Sequence, residues 1–388
     1  MRHLAAAASA LALALGVTTA ATASPGSPPS PPGAKGWQTQ VVDTDQSFRG
    51  LDAVDGRTAW VTGGSVSDGG AGSVYRTTDA GRTWQDVRPP GSQGLAFRDV
   101  EARDARTASV LAIGPGEASR IYRTTDGGQT WRETFRNREE AAFYNCIAFA
   151  PGGRVGLGVS DPVDGRFRII RTTDGGARRR VLPSRGMPDS TGEANFAASG
   201  DCLTMSGRTA VFGSGGERSR VFRSDDLGTT WRASSSGIPA SEAAGSSPSR
   251  CAPAAGRRRR RRLLRPGGRL AGESVTRDGR TWRTAGDLPH LGEDVEWLSR
   301  HRLLVVGEGG GIGAPAPATT RPHLASRRPH RLAHLDCERG TCWAPAEAVA
   351  SAAGDPPLLA PHGRWRVRGP RPSLETTDPA QAMMTPCA

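Results

Sequence analysis

Thr77-Thr78-Asp79-Ala80-Gly81-Arg82-Thr83-Trp84 returns as Thr124-Thr125-Asp126-Gly127-Gly128-Gln129-Thr130-Trp131 and again as Ser224-Asp225-Asp226-Leu227-Gly228-Thr229-Thr230-Trp231. Two further copies are altered. Thr172-Thr173-Asp174-Gly175-Gly176 runs into Ala177-Arg178-Arg179 and loses the Thr-Trp ending. Arg277-Asp278-Gly279-Arg280-Thr281-Trp282 keeps Gly, Thr and Trp but, aligned on the tryptophan, has Arg where Asp belongs. With Arg179 standing in for the missing tryptophan, successive endings lie 47, 48, 52 and 51 residues apart. Self-similarity at such a period marks a chain of stacked supersecondary units.

A second element repeats in phase. Asp55-Gly56-Arg57-Thr58-Ala59-Trp60-Val61 resembles Asp104-Ala105-Arg106-Thr107-Ala108-Ser109-Val110, and its arginine recurs at 154, 208, 302 and 339. The step from 208 to 302 is 94 residues, about two periods, so one unit is hidden near residue 255. Six visible units and one hidden unit make seven. The first unit reads as four short strands, 48–54, 59–63, 73–77 and 83–87, separated by Gly/Asp-rich turns. Four strands per unit of this length predict an all-β fold, a β-propeller of seven four-stranded blades with the fifth disrupted. One blade cannot bury both faces of its sheet, so the ring must close for a core to form.

The Ser/Thr-x-Asp-x-Gly-x-Thr-Trp pattern resembles the Asp-box of the BNR family. Its logic is turn chemistry. The carboxylates of Asp79, Asp126, Asp174 and Asp226 accept backbone N–H groups of a hairpin. Gly81, Gly128 and Gly228 supply a positive φ. Trp84, Trp131 and Trp231 open the next strand and carry apolar area into the packing between blades. The boxes are therefore structural, and each offers too few carboxylates for a calcium cage. Over residues 36–240 the chain also resembles the propellers that serve as photosystem II assembly and stability factors, together with their secreted bacterial relatives. That resemblance implies a non-catalytic scaffold, and nothing in the sequence is specific to photosynthesis.

Residues 1–23 read as an export signal: Arg2 and His3, an apolar run to Val17, and Ala21-Thr22-Ala23 before cleavage. The run is too short to span a membrane. A Pro-rich linker covers 24–35, the propeller 36–344, and an irregular tail 345–388. The expected location is outside the cell, and the expected partner an extracellular protein or glycan bound by a monomer. The net charge of +13 is concentrated rather than spread, with 18 Arg against 7 acids between Arg250 and Arg331. A nucleic-acid face would interleave aromatics with its cations, so no nucleic-acid partner is expected. The stretches 245–271 and 314–333 break the period, with Arg257 to Arg262 at the centre of the first. They read either as a solvated basic insertion or as a local frame disruption in a GC-rich gene, which would account for arginine runs, lost periodicity and downstream recovery together.

The alternative function is a secreted glycoside hydrolase of sialidase-like type, since Asp-boxes occur in such enzymes. It would need a Tyr nucleophile with a Glu partner, or paired acids. Tyr75 and Tyr122 sit at equivalent strand positions, which leaves Tyr144; the acids are Asp161, Asp164 and Glu193. Histidines other than His3 lie at or beyond 290, and His323, His330 and His334 lack metal-site spacing and read as composition. No metal and no cofactor are expected. The Gly309–Ala314 run loosely matches a dinucleotide fingerprint, but Pro315-Ala316-Pro317 follows instead of a helix, so it reads as a turn. Cysteines fit an exported protein, with Cys337 and Cys342 across a hairpin and Cys146 and Cys202 in neighbouring blades as candidate disulfides. In register, Arg49, Arg98, Asn145 and Asn195 fall near the channel entry opposite the box turns, flanked by Tyr144 and Phe196. These side chains either cap strands or form a polar mouth for a peptide, a glycan or a small anion.

Overall fold

The computed structural model describes residues 38–65, 71–195, 200–238, 240, 261–264, 272–276, 278–287, 292–299, 302–307, 310–315, 334–338, 341–346 and 349–354. Contacts divide the chain into Met1–Ala34 and Lys35–Ala388, and every described residue belongs to the second unit. The expected export signal and linker, Phe196, and most of 245–271 and 314–333 lie outside the described residues.

The fold is an all-β propeller. Sheet one is Gln46–Ala53, Ala59–Ser65, Ser73–Thr77 and Gln85–Asp86. Sheet two is Ala96–Ala102, Ala108–Ile113, Arg120–Thr124 and Arg132–Arg136. Sheet three is Tyr144–Phe149, Gly156–Val163, Arg166–Thr172 and Arg180–Val181, and sheet four is Leu203–Ser206, Thr209–Gly213, Arg220–Ser224 and Arg232–Ser235. A two-stranded ribbon, Glu193–Ala194 with Gly215–Gly216, lies beside them. Sheets five (Arg261–Leu264, Gly272–Thr276, Trp282–Asp287) and six (Gly292–Ser299, Arg302–Gly307, Gly310–Pro315) have three strands among the described residues. Sheet seven takes Asp336–Glu338, Thr341–Ala346 and Val349–Gly354, and Gln38–Gln40 pairs on its outer edge. The start of the described chain thus completes the last sheet and ties the ring.

First strands of successive sheets meet at the centre. Burial in Gln46–Ala53 alternates until Arg49, then shifts by one residue. The cause is a bulge, repeated in register at Arg98, Asn145 and Glu293. An extra residue re-aims its side chain and strengthens the local twist. Second strands are buried on both faces, as at Ala59–Gly63 and Ala108–Ala112. Backbones come close at Gly50, where a Cβ would lie 2.6 Å from the Arg98 carbonyl oxygen.

Sheets pack through the box tryptophans. Trp84 meets Trp343 edge-on at 5.9 Å between sheets one and seven. Trp131 meets Trp60 edge-on at 6.4 Å between sheets two and one. Trp231 joins Leu157, Phe167 and Phe212 between sheets four and three. Such aromatic pairs contribute about 0.5–1.5 kcal/mol beyond their buried area. Trp84, Trp131 and Trp231 precede their strands by one residue instead of opening them, whereas Trp282 opens its own. The third-strand arginine before each box is a second clamp: Arg76 donates to the Ala105 carbonyl at 2.9 Å, Arg123 to Gly175 at 2.8 Å, and Arg171 to Leu227 at 3.2 Å.

A third clamp is acidic. Asp336 accepts the Ala53 N–H at 2.7 Å, Asp52 accepts Ala102 at 2.6 Å, and Glu101 accepts Phe149 at 3.3 Å. These three occupy one register, and each satisfies the exposed edge of the next inner strand. Asp99 and Asp294, one turn of the pleat earlier, do the same for Ile147 and Leu335.

Several sequence expectations need correction. Asp278 does hold its turn: Thr276 donates to it at 2.9 Å, and it accepts the Thr281 N–H at 2.9 Å. That box is one residue shorter, so alignment on its tryptophan put Arg277 in the wrong place. The glycine run forms the strand Gly310–Pro315, paired to the apolar Arg302–Gly307, instead of a turn. Val349–Gly354 belongs to sheet seven, so the boundary drawn at 344 cuts through that sheet. Part of the fifth unit's basic run, Arg261–Leu264, pairs with Gly272–Thr276.

Candidate functional site

The boxes use their polar groups internally. In the first, Thr77 donates to Asp79 at 2.9 Å and accepts the Gly81 N–H at 3.0 Å. Asp79 accepts the Thr83 N–H at 2.9 Å and its hydroxyl at 2.7 Å. These donors hold the Asp79 carboxyl down to about 2, the Thr83 N–H contributing most. Asp126 and Asp226 repeat the arrangement with Thr130 and Thr230. Asp174 keeps its backbone part, accepting the Arg178 N–H at 3.0 Å, without the hydroxyl contact that a threonine would add. Gly128 takes φ +88°, and a Cβ there would lie 2.5 Å from the Val87 Cβ.

The residues expected at the channel entry do not all gather. Arg49 and Arg98 project half-buried from their bulges, Arg49 donating to the Ser47 hydroxyl at 3.3 Å. Asn145 and Asn195 converge on Asp161, whose Oδ1 accepts the Asn145 amide at 3.1 Å and the Asn195 N–H at 2.8 Å. Burial raises the Asp161 carboxyl to about 6. Tyr144 is elsewhere. It is 1% exposed, packs edge-on to Phe135 at 5.0 Å, and sits with Leu111, Ile121 and Ile170 in the core. The bulge at Asn145 is the cause: it shifts the parity so that Tyr144 enters the core while the likewise buried Asn145 turns to Asp161.

The hydrolase groups are likewise occupied or separated. Burial raises the Tyr144 hydroxyl far above its usual range, which disfavours a phenolate nucleophile. Glu193 is buried and accepts from Arg218 at 2.8 Å, Arg220 at 2.7 Å and Ser214 at 2.7 Å. Asp164 is exposed and pairs with Arg168 at 3.3 Å.

At the ring's centre stands a group that the sequence hid. Asp201, Asp294 and His334 bring ligand atoms within 4.8 Å of one another. His334 is buried and its Nε2 lies 3.4 Å from Asp294, so it is a structural residue and not a product of composition. Asp99 joins them electrostatically, and burial pushes its carboxyl up to about 8. Asp294 is raised by burial and by Asp201, and lowered by His334. The set is suited to sharing a proton or holding a divalent cation through two carboxylates and one imidazole. Its members lie up to 133 residues apart, so no local motif announces them.

Cys146 pairs with Cys202, joining the inner strand of sheet three to the approach of sheet four, and Cys337 pairs with Cys342 across a hairpin. Cys251 and Cys387 lie outside the described residues. Among the described residues no helix is long and apolar enough to cross a membrane.

No known protein family matches the chain, and no curated protein matches it. Solved structures do. YCF48 bound to a D1 peptide superposes with TM-score 0.59 at 14% identity, covering 82% of this chain and 96% of that one. A GH74 xyloglucanase from Xanthomonas campestris gives 0.56 at 15% identity, over 84% of this chain and 55% of that one. A catalytically inactive virginiamycin B lyase from Staphylococcus aureus, solved with quinupristin, gives 0.55 at 11% identity, over 82% and 99%. At these identities the likeness concerns the fold.

Proposed function

We propose that this chain is an exported, monomeric, seven-bladed Asp-box propeller that binds an extracellular protein or glycan without transforming it. One observation carries the reading: of the acids a hydrolase would use, Glu193 and Asp161 are taken up by neighbouring groups, and Asp164 lies exposed on Arg168. Box acids close hairpins, inner-strand acids cap the next strand's N–H groups, and Glu193 is tied to two arginines and a serine. The bulged Arg49 and Arg98, with the knot of Asn145, Asp161 and Asn195, supply the polar contacts of the mouth. The peptide-bound state of one structural neighbour and the compound held by another agree with a propeller face used for binding.

The test has two arms. Purified chain is incubated with a panel of fluorogenic glycosides, and an Arg49→Gln/Arg98→Gln variant is compared with wild type in capturing partners from culture fluid. The expected result is no turnover and loss of the partners that wild type retains. Turnover that disappears in a Glu193→Gln variant would favour the hydrolase, and unchanged capture by the double variant would overturn the mouth.

A further inference from the structure

The junction between sheets two and three breaks the pattern of its neighbours. In sheet one the second-strand residue opposite Asp52 is Trp60, which receives Trp131 edge-on and the Arg76 guanidinium at 5.6 Å from its ring. In sheet two the residue at the same register, opposite Glu101, is Ser109. Its partner in the third box is Arg179 in place of tryptophan, and the two meet at 3.1 Å. Both members of the aromatic pair are thus replaced by smaller or polar groups. A cavity of about 390 Å³ lies at this point, within the range that holds small ligands. Its rim is the exposed turn at Pro151 and Gly152, beside Gly175 of the box.

The cavity's chemistry is defined by what lost its partner. Arg123 pairs with Ser109 across the strands as Arg76 pairs with Trp60, so its guanidinium has no indole to lie on and faces the cavity. Arg103 lines the same space, and Arg179 stands behind Ser109 at 5.8 Å from the Phe149 ring. Two guanidiniums, Arg103 and Arg123, therefore line the space against two carboxylates, Glu101 and, from sheet seven, Glu338, and Arg103 also meets Asp104 at 3.4 Å. Burial, and then Arg103, lower Arg123, while burial, and then Arg123, lower Arg179. A carboxylate placed between Arg103 and Arg123 relieves the repulsion between those two. Phe149 gives it an apolar floor.

We propose that the junction of sheets two and three is a binding site for a small monocarboxylate with an apolar body, its carboxylate on Arg123 and Arg103 and its body on Phe149. The site lies on the box face, so it is separate from the proposed mouth and stands or falls independently of it. The carboxylate is that of a free small acid or of a peptide end; both present the same chemistry.

Titration calorimetry on the full chain uses three probes: 3-phenylpropionate, its neutral amide, and a hexapeptide ending in a free phenylalanine carboxylate. Saturable binding of either acid, with the amide at least about tenfold weaker, is the expected result. Binding of only one acid identifies the source. Arg123→Gln weakens the acid about tenfold while leaving the amide unchanged. Arg103→Gln, an exposed position, gives a second reading should Arg123→Gln fail to fold. Ser109→Trp fills the cavity and abolishes binding. The proposal is overturned if neither acid binds the folded wild type, if acid and amide bind equally, or if affinity for the acid survives both arginine changes.

Discussion

Two junctions built on one plan behave differently. Between sheets one and two, Trp60 and Trp131 fill the space, and Arg76 lies on the indole. Between sheets two and three, Ser109 and Arg179 occupy the same places and leave a cavity. The backbone devices are shared: a box carboxylate closes each hairpin, and an inner-strand acid caps each neighbouring strand. The difference teaches that the backbone network holds the blade in place whatever fills the junction. Side-chain filling is then free to vary, and one junction can be given to binding.

The largest expected effect comes from emptying the filled junction. Trp60 is fully buried, so Trp60→Ala costs about 3–5 kcal/mol, measured as a shift in the denaturant midpoint. Arg179→Ala removes two hydroxyl contacts from a space already open, and costs about 1 kcal/mol. Similar losses at the two sites would erase the distinction.

A smaller effect is titratable, and has opposite signs for the two kinds of acid. The Asp126 carboxyl is held down to about 2 by the Thr130 hydroxyl and N–H. Its contribution is present above the unfolded value of about 4 and is lost as pH falls toward 2. Asp99, beside the central group of Asp201 and His334, is raised to about 8 by burial. Its contribution is present below about 4 and is lost as pH rises through 8. Asp126→Asn therefore flattens the acid limb of a stability profile, and Asp99→Asn the alkaline limb. Exchange of these two assignments would mean that the inner acids are not buried as described.

The smallest effect concerns the altered third box. Asp174 keeps the Thr172 hydroxyl and the Arg178 N–H but lacks the hydroxyl that Thr130 gives Asp126, so Asp174→Asn still lowers the unfolding midpoint, by less than Asp126→Asn does, although its box lacks the tryptophan. A silent Asp174→Asn would show that the box depends on its tryptophan to form.

Much of this was legible in the residues. Repeated Thr-x-Asp-x-Gly units placed the hairpins, and the second repeating element placed the second strands. Inner-strand acids were not legible, because each acts on a distant strand, 48 residues away for Glu101 on Phe149 and 283 for Asp336 on Ala53, and in sequence looks like a solvated side chain. Tyr144 was misplaced because a bulge changes side-chain parity without a residue that signals it. The role of Asp278 was hidden by a one-residue deletion in its loop. The arginine clamps were overlooked although an arginine stands before each intact box, at 76, 123 and 223. Of the residues proposed for the mouth, Arg49 and Arg98 rest on register alone, whereas the meeting of Asn145 with Asn195 depends on Asp161, a residue weighed only as an acid.

The most direct test of the central claim, that the open junction is a site and not a packing flaw, is a single variant followed by two readouts. Ser109→Trp is unfolded thermally and titrated with 3-phenylpropionate in the same preparation. The account predicts an unfolding midpoint equal to or above that of wild type, with binding abolished. A midpoint that falls as far as that of Trp60→Ala, or binding that persists, would contradict it.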